Sequence, residues 1–203
     1  MKIGLDFDNT IACYDNSISL LSEKISNLPT SVNRTKLGLR DFLRSQGRES
    51  EWTEFQGELY GPGMCHAEPF PDAIKTMQLL SEYGHDLVIV SHRSRYPYAG
   101  PSYDLHSFAL QWIDTHLKPA GLFLDSGSEE KVYFLETRDL KLSQISNLNC
   151  AVFLDDLQEV LNSPLFPDNT FPILFKPFES SEKVGISNMT VISCWPELLK
   201  NLP

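Results

Sequence analysis

Apolar and polar positions along the 203-residue chain fall into two repeating patterns. One is a short apolar run that ends abruptly in polar residues: Ile3-Gly4-Leu5 before Asp6, Leu87-Val88-Ile89-Val90 before Ser91, and Cys150-Ala151-Val152-Phe153-Leu154 before Asp155. Short apolar runs bounded by turn formers read as buried strands. Further strands are expected near 121–124, 132–136, 171–175 and 189–193. The other pattern has the helical period. Ile74, Met77, Leu80 and Tyr83 follow Pro71, which suits a first helical turn; Leu105, Phe108, Ala109, Trp112 and Ile113 form a second stripe, and Leu142, Ile145 and Leu148 a third, with Thr137 as its cap. A last helix is expected to start at Pro196. Alternating helices and strands after Pro71 predict a parallel sheet with helices on both faces, an α/β fold.

Between the first strand and Pro71 the pattern is helical only. Ile18, Leu21, Ile25 and Leu28 share one face, Leu39, Phe42 and Leu43 a second, and Trp52, Phe55 and Leu59 a third. The expected organisation is therefore a core made of 1–14 and 72–203 with a helical insertion at 15–71.

Carboxylates two apart on a strand point the same way, so Asp6 and Asp8 concentrate negative charge at a strand end. Asp155 and Asp156 repeat that feature. In a parallel sheet both ends lie on the carboxyl edge, where open α/β folds bind ligands, and converging carboxylates suit a hard divalent cation such as Mg²⁺. A purely structural account also exists, because Asp156-Leu157-Gln158-Glu159 has the spacing of a capping box with Asp156 as N-cap.

Asp6-Phe7-Asp8-Asn9-Thr10, Ser91 at a strand end, a lysine ahead of the third strand, and Asp155-Asp156 together resemble the four motifs of the haloacid dehalogenase superfamily of phosphatases, phosphomutases and dehalogenases. Two lysines compete for the third motif. Lys141, near the start of the helix before Asp155, fits the family spacing better than Lys131. The resemblance implies a three-layer Rossmann-like core, with 15–71 as a small helical cap that closes over the site. It also implies roles: Asp6 as nucleophile forming an aspartyl-phosphate, Asp8 as acid and then base, and Ser91 and Lys141 holding the transferring oxygens. Mg²⁺ would be held among Asp6, Asp8 through its main-chain carbonyl, Asp155 and Asp156, with the last two unranked. The resemblance also implies that dehalogenases lack an acid at position 8, so Asp8 points to a phosphatase or phosphomutase.

Asn9, within the first motif, and His92 and Arg93, in the turn after Ser91, are candidate substrate contacts, arginine through bidentate hydrogen bonds to an anion. Arg95 is read as a solvated loop residue, with Tyr96 and Tyr98 packed beneath. Trp52, Phe55 and Tyr60 either stack on a base or build the core of the cap.

A formal charge of −10 disfavours a nucleic-acid partner, which would require a basic face, so an end phosphatase of nucleic acids is set aside. The remaining readings are a Mg²⁺-dependent hydrolase of a small-molecule phosphomonoester, a phosphomutase, and a metal- or phosphate-binding regulatory module without turnover. No apolar stretch reaches membrane-span length, and Cys13, Cys65, Cys150 and Cys194 have no C-x-x-C spacing. A cytoplasmic protein with reduced thiols and no membrane partner is expected.

Overall fold

A computed structural model of the chain describes residues 1–124, 130–177 and 189–203. Its elements run β1 (Lys2–Leu5), β2 (Ala12–Cys13), α1 (Asp15–Ser22), α2 (Lys36–Ser45), α3 (Glu49–Tyr60), β3 (Glu68–Pro69), α4 (Ala73–Glu82), β4 (Asp86–His92), α5 (Leu105–His116), β5 (Val132–Leu135), α6 (Arg138–Asn147), β6 (Val152–Asp155), α7 (Gln158–Leu161), β7 (Phe171–Phe175) and β8 (Thr190–Ile192). Short 3₁₀ helices cover Pro62–His66, Lys118–Ala120 and Trp195–Lys200. Two compact units result: Met1–Ala12, Pro69–Arg93 and Thr115–Pro203 in one, Cys13–Glu68 and Ser94–Asp114 in the other. The second unit takes in 94–114 besides the helical segment after the first motif.

The first unit is built on a six-stranded sheet in the order β5-β4-β1-β6-β7-β8, every pair parallel. This is the expected α/β fold. The chain winds outward from β1 to β4 and β5, then returns to lay β6, β7 and β8 on the other side. The reversal falls between β1 and β6, the topological switch point where such sheets bind ligands. Successive side chains leave a strand on opposite faces. Val88, Val90, Phe153 and Leu174 accordingly pack with Leu142 and Ile145 of α6 and Val160 and Leu161 of α7. Phe175, next to Leu174, meets Phe70 at 5.0 Å and Trp195 at 6.2 Å, ring centre to ring centre. Asp86, at the start of β4, pairs with Lys131 and with Lys2.

The second unit has its own core. Trp52 and Phe55 of α3 are buried and stack at 5.8 Å, and Tyr60 meets Tyr14 edge-on at 5.2 Å. The Trp112 indole donates to the Ala67 carbonyl at 2.8 Å. These aromatics are packing residues, which removes the base-stacking option for Trp52 and Phe55.

Several local expectations change. Residues 121–124 are not a strand: Gly121 and Phe123 both have positive φ, 78° and 52°, which breaks an extended run. Among the described residues, the outermost strand on that side of the sheet is β5. Tyr83 lies just past the end of α4 and is exposed, so the buried stripe is Ala73, Thr76, Met77 and Leu80. Two short strands, β2 and β3, pair with each other in the stretch expected to be purely helical. Tyr96 and Tyr98 are exposed instead of packed.

Gly4 is the one place where β1 cannot carry a side chain. A Cβ there would lie 2.4 Å from Cδ2 of Phe153 and 3.0 Å from Sγ of Cys150. Gly4→Ala is expected to lower stability by about 1–3 kcal/mol through overpacking. Urea unfolding would measure it, and an unchanged midpoint would show that the Phe153 ring can move aside.

Candidate active site

The end of β1 is fixed before the chemistry begins. The Asp6 amide donates to the Leu154 carbonyl at 2.9 Å, continuing the ladder to β6. The chain then reverses in a tight loop in which the amides of Ile11 and Ala12 both donate to the Phe7 carbonyl at 3.0 Å. Asn9 takes the left-handed conformation at φ 57°, which asparagine accepts better than most residues. Phe7 is fully buried and meets Phe134 edge-on at 5.8 Å, pinning the loop between the two aspartates. From the far end of the chain, the Trp195 indole donates to the Thr10 carbonyl at 3.0 Å. Nothing in the sequence signals that last contact.

Asp155 closes β6, and α6 delivers Lys141 from its first turn, whose N-cap Thr137 accepts from the Leu140 amide at 3.2 Å. The Lys141 ammonium is buried and donates to Asp6 Oδ1 at 2.5 Å and to Asp155 Oδ2 at 2.6 Å. The other Asp155 oxygen accepts from the Leu157 amide at 2.9 Å. That contact corrects the capping expectation: Leu157 is the N-cap residue of α7, Asp156 is not, and Asp155 supplies the turn's hydrogen bond. Carboxylate oxygens of Asp6, Asp155 and Asp156 lie within 4.8 Å of one another.

The electrostatics follow from burial. Loss of solvent is the largest influence on the Asp6 carboxyl and, together with the charges of Asp155 and Asp8, outweighs the pull of Lys141, so that its pKa stands at about 7. Burial opposes the charged form of Lys141, but Asp155 and Asp6 outweigh it and hold its pKa above the ordinary lysine value. Three carboxylates against one ammonium leave an anionic, all-oxygen cluster at a sheet edge. That donor set fits a hard divalent cation.

The other sequence candidates separate. Ser91 is buried near the carboxyl end of β4, two residues past the rung that pairs Leu5 with Ile89. Lys131 lies away from the site, paired with Asp86 at the opposite end of β4, so Lys141 is the lysine that reaches Asp6. Arg93 is buried and its Nη1 donates to Asp8 Oδ1 at 2.5 Å. His92 is exposed, with Nε2 3.2 Å from the Glu136 carbonyl. Arg95 pairs with Asp104 at 3.0 Å within the second unit. Asp8 and Arg93 are each visible as candidates in the sequence, but nothing there shows that they meet.

With this geometry established, comparison with solved structures places the fold. The chain superposes on a haloacid dehalogenase-type phosphatase from Thermococcus onnurineus with a TM-score of 0.55 and 17% identity, covering 98% of this chain and 97% of that one. A hydrolase of the same superfamily from Deinococcus radiodurans, with bound phosphate and sodium, matches with a TM-score of 0.54, 13% identity and coverage of 97% and 92%. A dehalogenase with an intermediate complex matches with a TM-score of 0.59, 12% identity and coverage of 99% and 96%. No family model and no curated protein sequence matches the chain. The fold is that of the haloacid dehalogenase superfamily hydrolases, as the four motifs led one to expect.

Removing the ammonium leaves the carboxylates of Asp6 and Asp155 facing each other without compensation. Lys141→Met is expected to lower stability by about 3–5 kcal/mol, the range for breaking a buried ion pair from one side. Chemical unfolding without added metal measures it. Stability equal to that of the wild type would show that the cluster does not depend on this cation.

Proposed function

We propose that the protein is a metal-dependent phosphomonoester hydrolase acting on a small phosphorylated metabolite. The observation that carries the reading is the Lys141 ammonium held between Asp6 and Asp155 at the switch point of the sheet, with Asp156 within reach of both. A phosphoryl group entering this edge meets a carboxylate nucleophile and a fixed positive charge together.

Asp6 attacks phosphorus in line, the ester oxygen leaves, and an aspartyl-phosphate forms, which splits one difficult displacement into two easier ones. Asp8 gives a proton to the leaving oxygen and later takes one from the water that releases phosphate from Asp6. Lys141 and Ser91 steady the transferring oxygens, and electrostatic stabilisation is most of what phosphoryl transfer asks of a protein. Bound among Asp6, Asp155, Asp156 and the Asp8 main-chain carbonyl, Mg²⁺ would neutralise charge on the phosphoryl oxygens and offset the surplus of carboxylates.

Asp8 separates this reading from a dehalogenase, which has no use for an acid at the leaving oxygen. The charge of −10 supports a small anionic substrate over a nucleic acid. Four free cysteines accord with a cytoplasmic setting, and among the described residues no helix is long and apolar enough to cross a membrane.

Phosphate release from a panel of phosphorylated metabolites, with Mg²⁺ or with EDTA, tests the reading. The wild type is expected to turn over a subset only with metal. Asp6→Asn should fall to background and Asp8→Asn should lose about 10²–10⁴-fold, the contribution of a general acid–base. Isomerised phosphates in place of free phosphate would indicate a mutase, and binding of phosphate without turnover would indicate a regulatory module.

A further inference from the structure

We infer that Arg93 is the positioning residue for Asp8, and that it does not bind the phosphoryl group. The inference rests on the hydrolase reading above for its catalytic part and on geometry for the rest. Arg93 is the residue immediately after β4, and its amide donates to the Leu135 carbonyl at 2.8 Å, so its backbone is fixed to the end of β5. Its guanidinium centre lies 6.0 Å from the centroid of the Phe7 ring, the residue between the two aspartates. From there Nη1 reaches Asp8 Oδ1 at 2.5 Å.

The solvent exposures are unequal, 3% for the Arg93 side chain and 18% for that of Asp8. The pair therefore has a closed end and an open end, and the open end is the carboxyl group. Asp8 stands on the loop after β1, beside a left-handed Asn9. Holding Oδ1 from the core side sets the direction in which the carboxyl group meets an incoming ester oxygen. A planar guanidinium suits this role, because it lies against an aromatic ring and donates in a fixed direction, which a flexible ammonium cannot do. A phosphate-binding arginine needs an accessible guanidinium, and this one is buried against a carboxylate.

Two aspartates two residues apart thus have different cations. Asp6 is held by Lys141 and Asp8 by Arg93. The division keeps one carboxylate aimed at phosphorus and the other at the ester oxygen.

The test combines Arg93→Gln and Arg93→Lys with Asp8→Asn, singly and together, in the full chain. Steady-state kinetics on a hydrolysed phosphomonoester, inhibition by inorganic phosphate and thermal unfolding are measured for each. Arg93→Gln is expected to lower kcat by about 10–100-fold with KM and phosphate inhibition within about threefold, the signature of an interaction that matters after binding. Arg93→Lys should recover part of kcat and keeps the fold if the uncharged variant does not. In the Asp8→Asn background Arg93→Gln should change kcat by less than about twofold, because the group it positions is gone.

Weaker inhibition by phosphate with unchanged kcat would overturn the inference in favour of a phosphate contact. Additive losses in the double variant would overturn it as well. If the wild type hydrolyses nothing, the hydrolase reading falls and takes the catalytic role with it. The unfolding midpoints then still decide the pair: non-additive shifts uphold the hold of Arg93 on Asp8, and additive shifts refute it.

Discussion

The candidate active site depends on one buried ammonium. Asp6 and Asp155 end neighbouring strands whose register brings Leu5 opposite Leu154, so the fold forces two carboxylates together at the centre of the sheet. Lys141 makes that arrangement tenable by donating to both. Burying three charged groups is costly unless geometry and hydrogen bonding are good, and here each partner is held from its own element. The Asp6 amide is in the ladder, Asp155 accepts from Leu157, and Lys141 rides on a helix capped by Thr137. The same contact ties α6 to β1 and β6, so the placement of the helix and the charge balance of the site are one constraint.

Much of the core is readable in the sequence because its physics is local. Apolar runs ending in Asp6, Ser91 and Asp155 form β1, β4 and β6, side by side with their ends on one edge. Thr137 can be read as a cap because capping needs only the next few residues. Other features depend on contacts between distant residues. Arg93 and Asp8 are 85 residues apart, and no periodicity links them. The choice between Lys141 and Lys131 requires knowing which end of the sheet each reaches. At 121–124 an apolar run has the look of a strand, yet the positive φ at Gly121 belongs to the turn that closes on Leu117, and a second positive φ at Phe123 interrupts the run just after it. The capping spacing favours Asp156 over Asp155 only if the helix starts at once, and α7 starts later than that.

The second unit illustrates a different limit. Its helices are evident from their stripes, yet the segment 94–104 gives no sign in sequence that it packs there. Gly57 explains how it does: a Cβ at that position of α3 would come within 2.9 Å of Pro97, so the helix offers bare backbone to the incoming loop. Tyr103 then donates to Glu58 at 3.0 Å. Trp52 and Phe55, which sequence alone allows as base-stacking groups, are spent on this unit's own core.

Asp6, balanced by Lys141, is on this account a nucleophile toward phosphorus. The most direct measurement is mass spectrometry of the acid-quenched protein after brief exposure to a small phosphoryl donor with Mg²⁺, followed by peptide mapping. A single phosphoryl group on the peptide that begins at the N-terminal strand, localised to Asp6 and lost in Asp6→Asn, is the result predicted. A phosphoryl group on any other residue, or turnover of the donor with Asp6 never modified, would contradict it.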